Sequence, residues 1–161
     1  MKPELEKKLF KKYPEIFQQK DLDMSQTAMC WGMQCGNGWY TILDKLCGWI
    51  SWNMKNNSHC YPKIEFTTVK EKFGLLRIYY HPIDMTDDQK SGADEIAGAI
   101  SFIETLSATI CEDCGLPGKL YSVDGWYITA CPKHLKSYIA YIKKSWGKKT
   151  VKVVDCDGDV A

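Results

Sequence analysis

The chain has 161 residues, of which 45% are apolar and 25% charged, with a net charge of +1. This suits one globular domain, or one domain carrying a small metal module. A near-neutral total gives no global electrostatic argument for nucleic acid or a membrane surface, and no apolar run is long enough to span a bilayer.

Residues 3–13 read as an amphipathic helix with Leu5, Leu9, Phe10 and Tyr13 on one side. Pro14 interrupts it, and Ile16 and Phe17 add apolar anchors. Residues 21–38 are rich in Met, Cys and Gly and read as irregular. A second helix is predicted from about Trp39 to Met54. Its broad face of Ile42, Leu43, Leu46, Trp49, Ile50 and Trp52 predicts a largely buried central helix.

Residues 64–70 and 75–80 predict two strands of a β-hairpin, with EKFG between them, Gly74 supplying the turn and Pro82 ending the pair. Thr86 and Gln89 form a capping-box pattern. The third helix is predicted to run from there to about Thr109, with Ile96, Ile100, Ile103 and Leu106 as its core stripe. A small hairpin around Asp124-Gly125 follows, then a helix over residues 132–146 and a short closing strand in VKVV. The DCDGDVA end reads as a mobile, solvated tail. Asp155, Asp157 and Asp159 imitate half a calcium loop but lack its twelfth-position glutamate. The expected organisation is a helical and hairpin core over 1–110, a zinc ribbon with its closing helix over 111–146, and a terminal strand and tail over 147–161.

The strongest motif is C-x-x-C followed by C-x-x-H. Cys111 and Cys114 form one half and Cys131 and His134 the other, with 16 residues between the halves. Thiolate and imidazole ligands at this spacing suit a tetrahedral zinc ion. Gly115 fits the tight turn after a Cys pair, and Pro132 fits the first turn of a helix through His134. Four protein ligands leave no open coordination place, so the expected zinc is structural. The chain has eight cysteines and an N-terminus without a signal-peptide apolar core, so reduced thiols are expected. Cys30, Cys35, Cys47, Cys60 and His59 are the residues available for a second metal site. Their irregular spacing makes buried thiols the default.

Two further segments suit ligand binding. Gly36, Asn37 and Gly38 precede a helix, where exposed N–H groups and the helix dipole can hold an anion, and Trp31 and Trp39 flank them as stacking rings. The alternative is a glycine turn between core tryptophans. The hairpin VKEKFGLLRIYY brings Lys70, Lys72 and Arg77 near Phe73, a basic and aromatic mixture that suits a nucleotide or nucleic-acid strand as well as an ordinary exposed hairpin. Arg77 is the one arginine against 20 lysines, and so the one guanidinium for fork-like anion recognition. The histidines, His59, His81 and His134, form no recognisable catalytic pattern, and no enzyme activity is expected.

MCWGMQCGNGWY, VKEKFGLLRIYY and TICEDCGLPGKLYSVDGWYITACPKH together resemble a family of small phage and prophage proteins, over roughly residues 10–135 and in the same order. The resemblance implies metal ligation by Cys111, Cys114, Cys131 and His134. It marks Trp31, Cys35, Gly36, Gly38, Trp39, Lys70, Lys72, Phe73, Gly74 and Arg77 as motif positions. It supplies no activity. The expectation is an α+β protein with a structural zinc ribbon, located in the cytoplasm of a bacterial host cell. It would act as a counter-defence protein that sequesters a nucleotide-like ligand or blocks a host defence protein. The alternative is a nucleic-acid-binding zinc module used in regulation.

Overall fold

The computed structural model describes residues 1–155, so all of the acidic tail except Asp155 lies outside the described residues. Four helices and two small antiparallel sheets make an α+β arrangement. Helix α1 is Pro3–Lys12, α2 is Tyr40–Asn56, α3 is Lys90–Leu106 and α4 is Pro132–Trp146. Strands β1 (Lys63–Lys72) and β2 (Leu75–Ile83) pair as one hairpin. Strands β3 (Lys119–Val123), β4 (Trp126–Ala130) and β5 (Val153–Asp155) form the second sheet in the order β4-β3-β5.

The β1–β2 hairpin is longer and tighter than the sequence pattern predicts. Its turn is two residues, Phe73 and Gly74, both in the left-handed region with φ of 56° and 77°. That geometry matches the twist of the strands, so pairing runs up to Lys72 and Leu75 instead of opening at EKFG. Pro82 sits inside β2 opposite Ile64, near the open end of a strand that has no further strand beside it among the described residues. The register shifts between Phe66 and Thr68. One extra residue there resets the alternation, and Phe66 and Val69 both turn into the core although they are three apart.

Side chains and loops cover both hairpin edges. On β2, the Leu76 N–H donates to Ser107 Oγ at 2.9 Å and the Ile78 N–H donates to Glu104 Oε1 at 2.7 Å. On β1, the Phe66 N–H donates to the Ile16 carbonyl at 2.8 Å, and Gln34 bridges Val69 and Glu71 through its backbone. An open edge is a template for pairing with another chain, and these bonds remove it.

The main apolar cluster runs from Leu9 to Ile100 and joins α1, α2, the hairpin and α3. On α2 it takes Leu43, Leu46, Cys47, Ile50 and Met54. Trp49 and Trp52, expected inside, lie off this stripe and are 37% and 57% exposed. The predicted stripe of α3 is buried at Ile96 and Ile100, and half-buried at Ile103 and Leu106 where the helix runs out towards its C-terminal end. Residues 21–38 are irregular as a whole, but single 3₁₀ turns occur at Met29–Trp31 and Asn37–Trp39. None of the described helices is long and apolar enough to cross a membrane.

Glu104 therefore has two tasks, accepting from Ile78 and facing the Arg77 guanidinium at 3.5 Å. Glu104→Ala leaves a backbone donor of β2 unpaired and is expected to cost about 1–3 kcal/mol. Arg77→Ala removes a partly exposed ion pair and a donor to the neighbouring Leu76 carbonyl, and is expected to cost about 0.2–1 kcal/mol. Urea unfolding of the two variants checks the order. Equal losses would place the main effect in the ion pair.

Candidate functional site

Cys111, Cys114, Cys131 and His134 converge, and their ligand atoms all lie within 4.8 Å of one another. Cys111 Sγ is 3.3 Å from His134 Nδ1, Cys131 Sγ is 3.4 Å from the same nitrogen, and Cys114 and Cys131 Sγ are 3.9 Å apart. Metal–sulfur bonds of about 2.3 Å and metal–nitrogen bonds of about 2.0 Å place the ligand atoms of a tetrahedron about 3.5–3.8 Å apart. The observed separations match that shape, and 3.9 Å is far from a disulfide. The four residues could hold a metal ion, with Nδ1 as the imidazole ligand.

Local backbone geometry builds the cluster. Gly115, at φ of 76°, turns the chain so that its N–H donates to the Cys111 carbonyl at 2.9 Å. The Cys111 N–H donates to Leu116, and the Glu112 N–H to Thr129 on β4, which fixes the first pair against the second. Cys131 is the N-cap of α4, with Pro132 at the first helical position. Backbone N–H donation from His134 is the main force that draws the Cys131 thiol down to about 7, favouring the thiolate a metal needs. Burial pushes Cys111 up instead.

The Gly36–Gly38 loop lies directly on this knuckle. The Gly36 N–H donates to Glu112 Oε1 at 2.8 Å and the Gly38 N–H donates to the Glu112 carbonyl at 2.6 Å. The loop holds an anion, and that anion is the chain's own Glu112. Burial pushes this carboxyl up to about 6, partly opposed by the Gly36 N–H. Asn37 Oδ1 accepts from the Lys2 N–H at 2.7 Å. Trp39 is fully buried, and its Nε1–H donates to the Ile110 carbonyl at 2.9 Å. Trp31 is 58% exposed, so the two rings expected to flank one ligand stand in different surroundings.

The other motif residues gather elsewhere. Phe73 projects from the hairpin turn, 66% exposed. Its ring meets Tyr127 edge-on at 6.3 Å between centroids. Trp126 lies alongside, 59% exposed, and Lys72 Nζ stands 5.6 Å from the Phe73 ring. Together with Glu71 and Gly125 they line an open groove of about 400 Å³ between the two hairpin tips. Glu71 is turned inward, accepting from the Gly74 N–H at 2.6 Å. Lys70 covers the Tyr79 ring at 5.3 Å. Arg77 donates to the Leu76 carbonyl and faces Glu104, an engagement that leaves it a strand-anchoring residue rather than a free fork.

Trp126 and Tyr127 were not among the sequence-level ligand candidates. Their signal was available in the aromatic pair that follows the Asp124-Gly125 turn. Nothing in the sequence pairs them with Phe73, which is 53 positions away from Trp126 in the chain. Cys30, Cys35, Cys47, Cys60 and His59 form no metal-sized cluster among the described residues. Cys35 and Cys47 are buried, and burial raises both thiols, Cys35 up to about 12. Comparison with protein-family models, curated proteins and solved structures finds no match to this chain.

Two outcomes follow from the seam between loop and knuckle. A Cβ at Gly38 would stand 2.0 Å from the Cys111 carbonyl oxygen and 2.4 Å from the Gly115 nitrogen, so neither neighbour can yield without moving the knuckle. Gly38→Ala is expected to destabilise by about 1–3 kcal/mol or more, read by thermal unfolding. Cys114→Ser is expected to lose stoichiometric metal and lower the unfolding temperature, because metal binding and folding are coupled in such a site. Elemental analysis of natively purified parent and variant tests it. Equal metal content in the two would remove Cys114 from the centre.

Proposed function

We propose that this chain is a non-catalytic binding protein, held together by a structural zinc ion at Cys111, Cys114, Cys131 and His134. The groove between the two hairpin tips takes a nucleotide-type ligand. Zinc is favoured by the three-thiolate, one-imidazole set and its tetrahedral spacing. Sequestering such a ligand, as a phage-type counter-defence protein would, is the biological form of this reading.

The observation that carries the reading is the backbone of Phe73. A bulky residue in the left-handed region costs about 1–2 kcal/mol, and turns of this type favour Asn, Asp or Gly there. The second hairpin obeys that preference with Asp124 at φ of 52°. The first hairpin does not, and it exposes a phenyl ring beside Trp126, Tyr127 and Lys72. Strain retained at an exposed aromatic supports a role for that ring in binding, since strained backbone clusters at functional sites. Stacked bases and a phosphate are the chemistry that rings and an ammonium recognise together.

Phe73→Asn separates the binding role from a structural one. It is expected to hold or raise the unfolding temperature, while weakening nucleotide-induced quenching of Trp126 fluorescence roughly tenfold. Titration of the parent with a panel of mononucleotides and short oligonucleotides is the direct test. Absence of quenching by every member would overturn the reading. Native mass spectrometry of protein purified from cells reads the metal: one zinc per chain is expected, and another metal or none would overturn that assignment.

A further inference from the structure

Resting on the nucleotide reading of the groove, we infer that its ligand is a segment of single-stranded nucleic acid rather than a free mononucleotide. Three observations lead there.

The first is the shape of the site. A site made for a free mononucleotide encloses most of that ligand's surface in a deep pocket. The groove of Phe73, Trp126 and Tyr127 is open along one side, and three large rings present their surfaces to solvent. An open row of rings suits bases that are held in place by the backbone connecting them.

The second is that the groove continues. Gly125 borders it on one side and a second groove of about 360 Å³ on the other, lined by Ser122, Asp124, Lys148, Lys152 and Val154. Lys148, on the lining of the second groove, stands 5.3 Å from the Trp146 ring, which is 47% exposed. The two acidic groups in this track are engaged internally. Glu71 accepts from Gly74, and the Asp124 carboxylate accepts from Lys148 and from the Lys152 N–H. Lys72 and Lys152 are exposed and make no ion pair among the described residues.

The third is the distribution of charge. The net charge of +1 conceals a strong asymmetry. Residues 1–131 carry 14 basic and 17 acidic side chains, whereas residues 132–154 carry seven lysines and no aspartate or glutamate. These lysines lie on α4 and in the segment leading into β5. The basic stretch reaches the track through Lys148 and Lys152, which line the second groove, and Gly125 joins that groove to the first. A local field of this kind attracts a polyanion, and it attracts a strand with many phosphates far more than a single nucleotide.

The test uses the full chain and three probes of one sequence: a fluorescein-labelled oligothymidylate of about twelve nucleotides, its duplex with oligoadenylate, and thymidine monophosphate. The single strand is expected to bind, with an affinity that falls steeply as salt rises, and the mononucleotide to compete at least roughly a hundredfold more weakly. Trp126→Ala and Lys152→Ala are each expected to weaken the strand roughly three- to tenfold, with Trp126→Phe restoring most of the first loss. Lys63→Ala is the control. It lies at the open end of β1, ten residues from Phe73 and about 30 Å away along the strand, and is expected to change nothing.

Mononucleotide binding as tight as that of the strand would overturn this inference and leave the nucleotide reading standing. Silence from all three probes would overturn both. A duplex that binds better than the strand, or a loss at Lys63 equal to that at Lys152, would show nonspecific attraction to charge and remove the track across Gly125.

Discussion

The fold depends on one seam, where the Gly36–Gly38 loop meets the Cys111–Gly115 knuckle. Glu112 accepts from Gly36 through its carboxylate and from Gly38 through its carbonyl, and one residue further the Trp39 indole donates to Ile110. The contact is so close that a single methyl group at Gly38 has no room. The seam joins the large apolar cluster of the N-terminal part to the Cys/His cluster, whose sheet and following helix bury few apolar side chains beyond Val123, Ala130 and Ile142. Such a small sheet has too little core to stand alone; the seam gives it a neighbour, and a metal ion at the Cys/His cluster would add to it.

A second contact follows from the first. With the knuckle seated, the tip of the β1–β2 hairpin rests on the small sheet: Thr129 donates to the Gly74 carbonyl at 2.6 Å, and a Cβ at Gly74 would collide with Leu120. The two hairpin tips are thereby held side by side. Phe73 is left on the outer side of this contact, facing Tyr127 and Trp126. The order of the metal cluster therefore reaches the ring groove through rigid contacts. Disorder at the Cys/His cluster would disturb both the seam and the groove.

The glycine-rich loop shows how a correct chemical reading can lead to the wrong partner. Backbone donors ahead of a helix do favour an anion. Glu112 occupies that role from 76 residues away. Arg77 is similar, since its guanidinium meets a carboxylate as its chemistry favours, and the carboxylate belongs to α3. In both places the anion expected from outside is an internal one.

By itself the sequence determined what is local. The helix over residues 132–146, the turn at Asp124-Gly125, the capping box at Thr86 and the four Cys/His positions were all legible, because spacing, turn chemistry and capping act over a few residues. The α+β class followed from the same signals. The uneven charge of residues 132–154 was equally open to reading, and a whole-chain total hid it. Tertiary structure alone decided which anion the Gly36–Gly38 loop holds, that Trp39 is interior while Trp49 and Trp52 are exposed, and that Phe73 meets Trp126 and Tyr127. Each of these rests on contact between segments far apart in the chain. Such contacts are set by close approach and burial across elements, and local pattern carries no record of them.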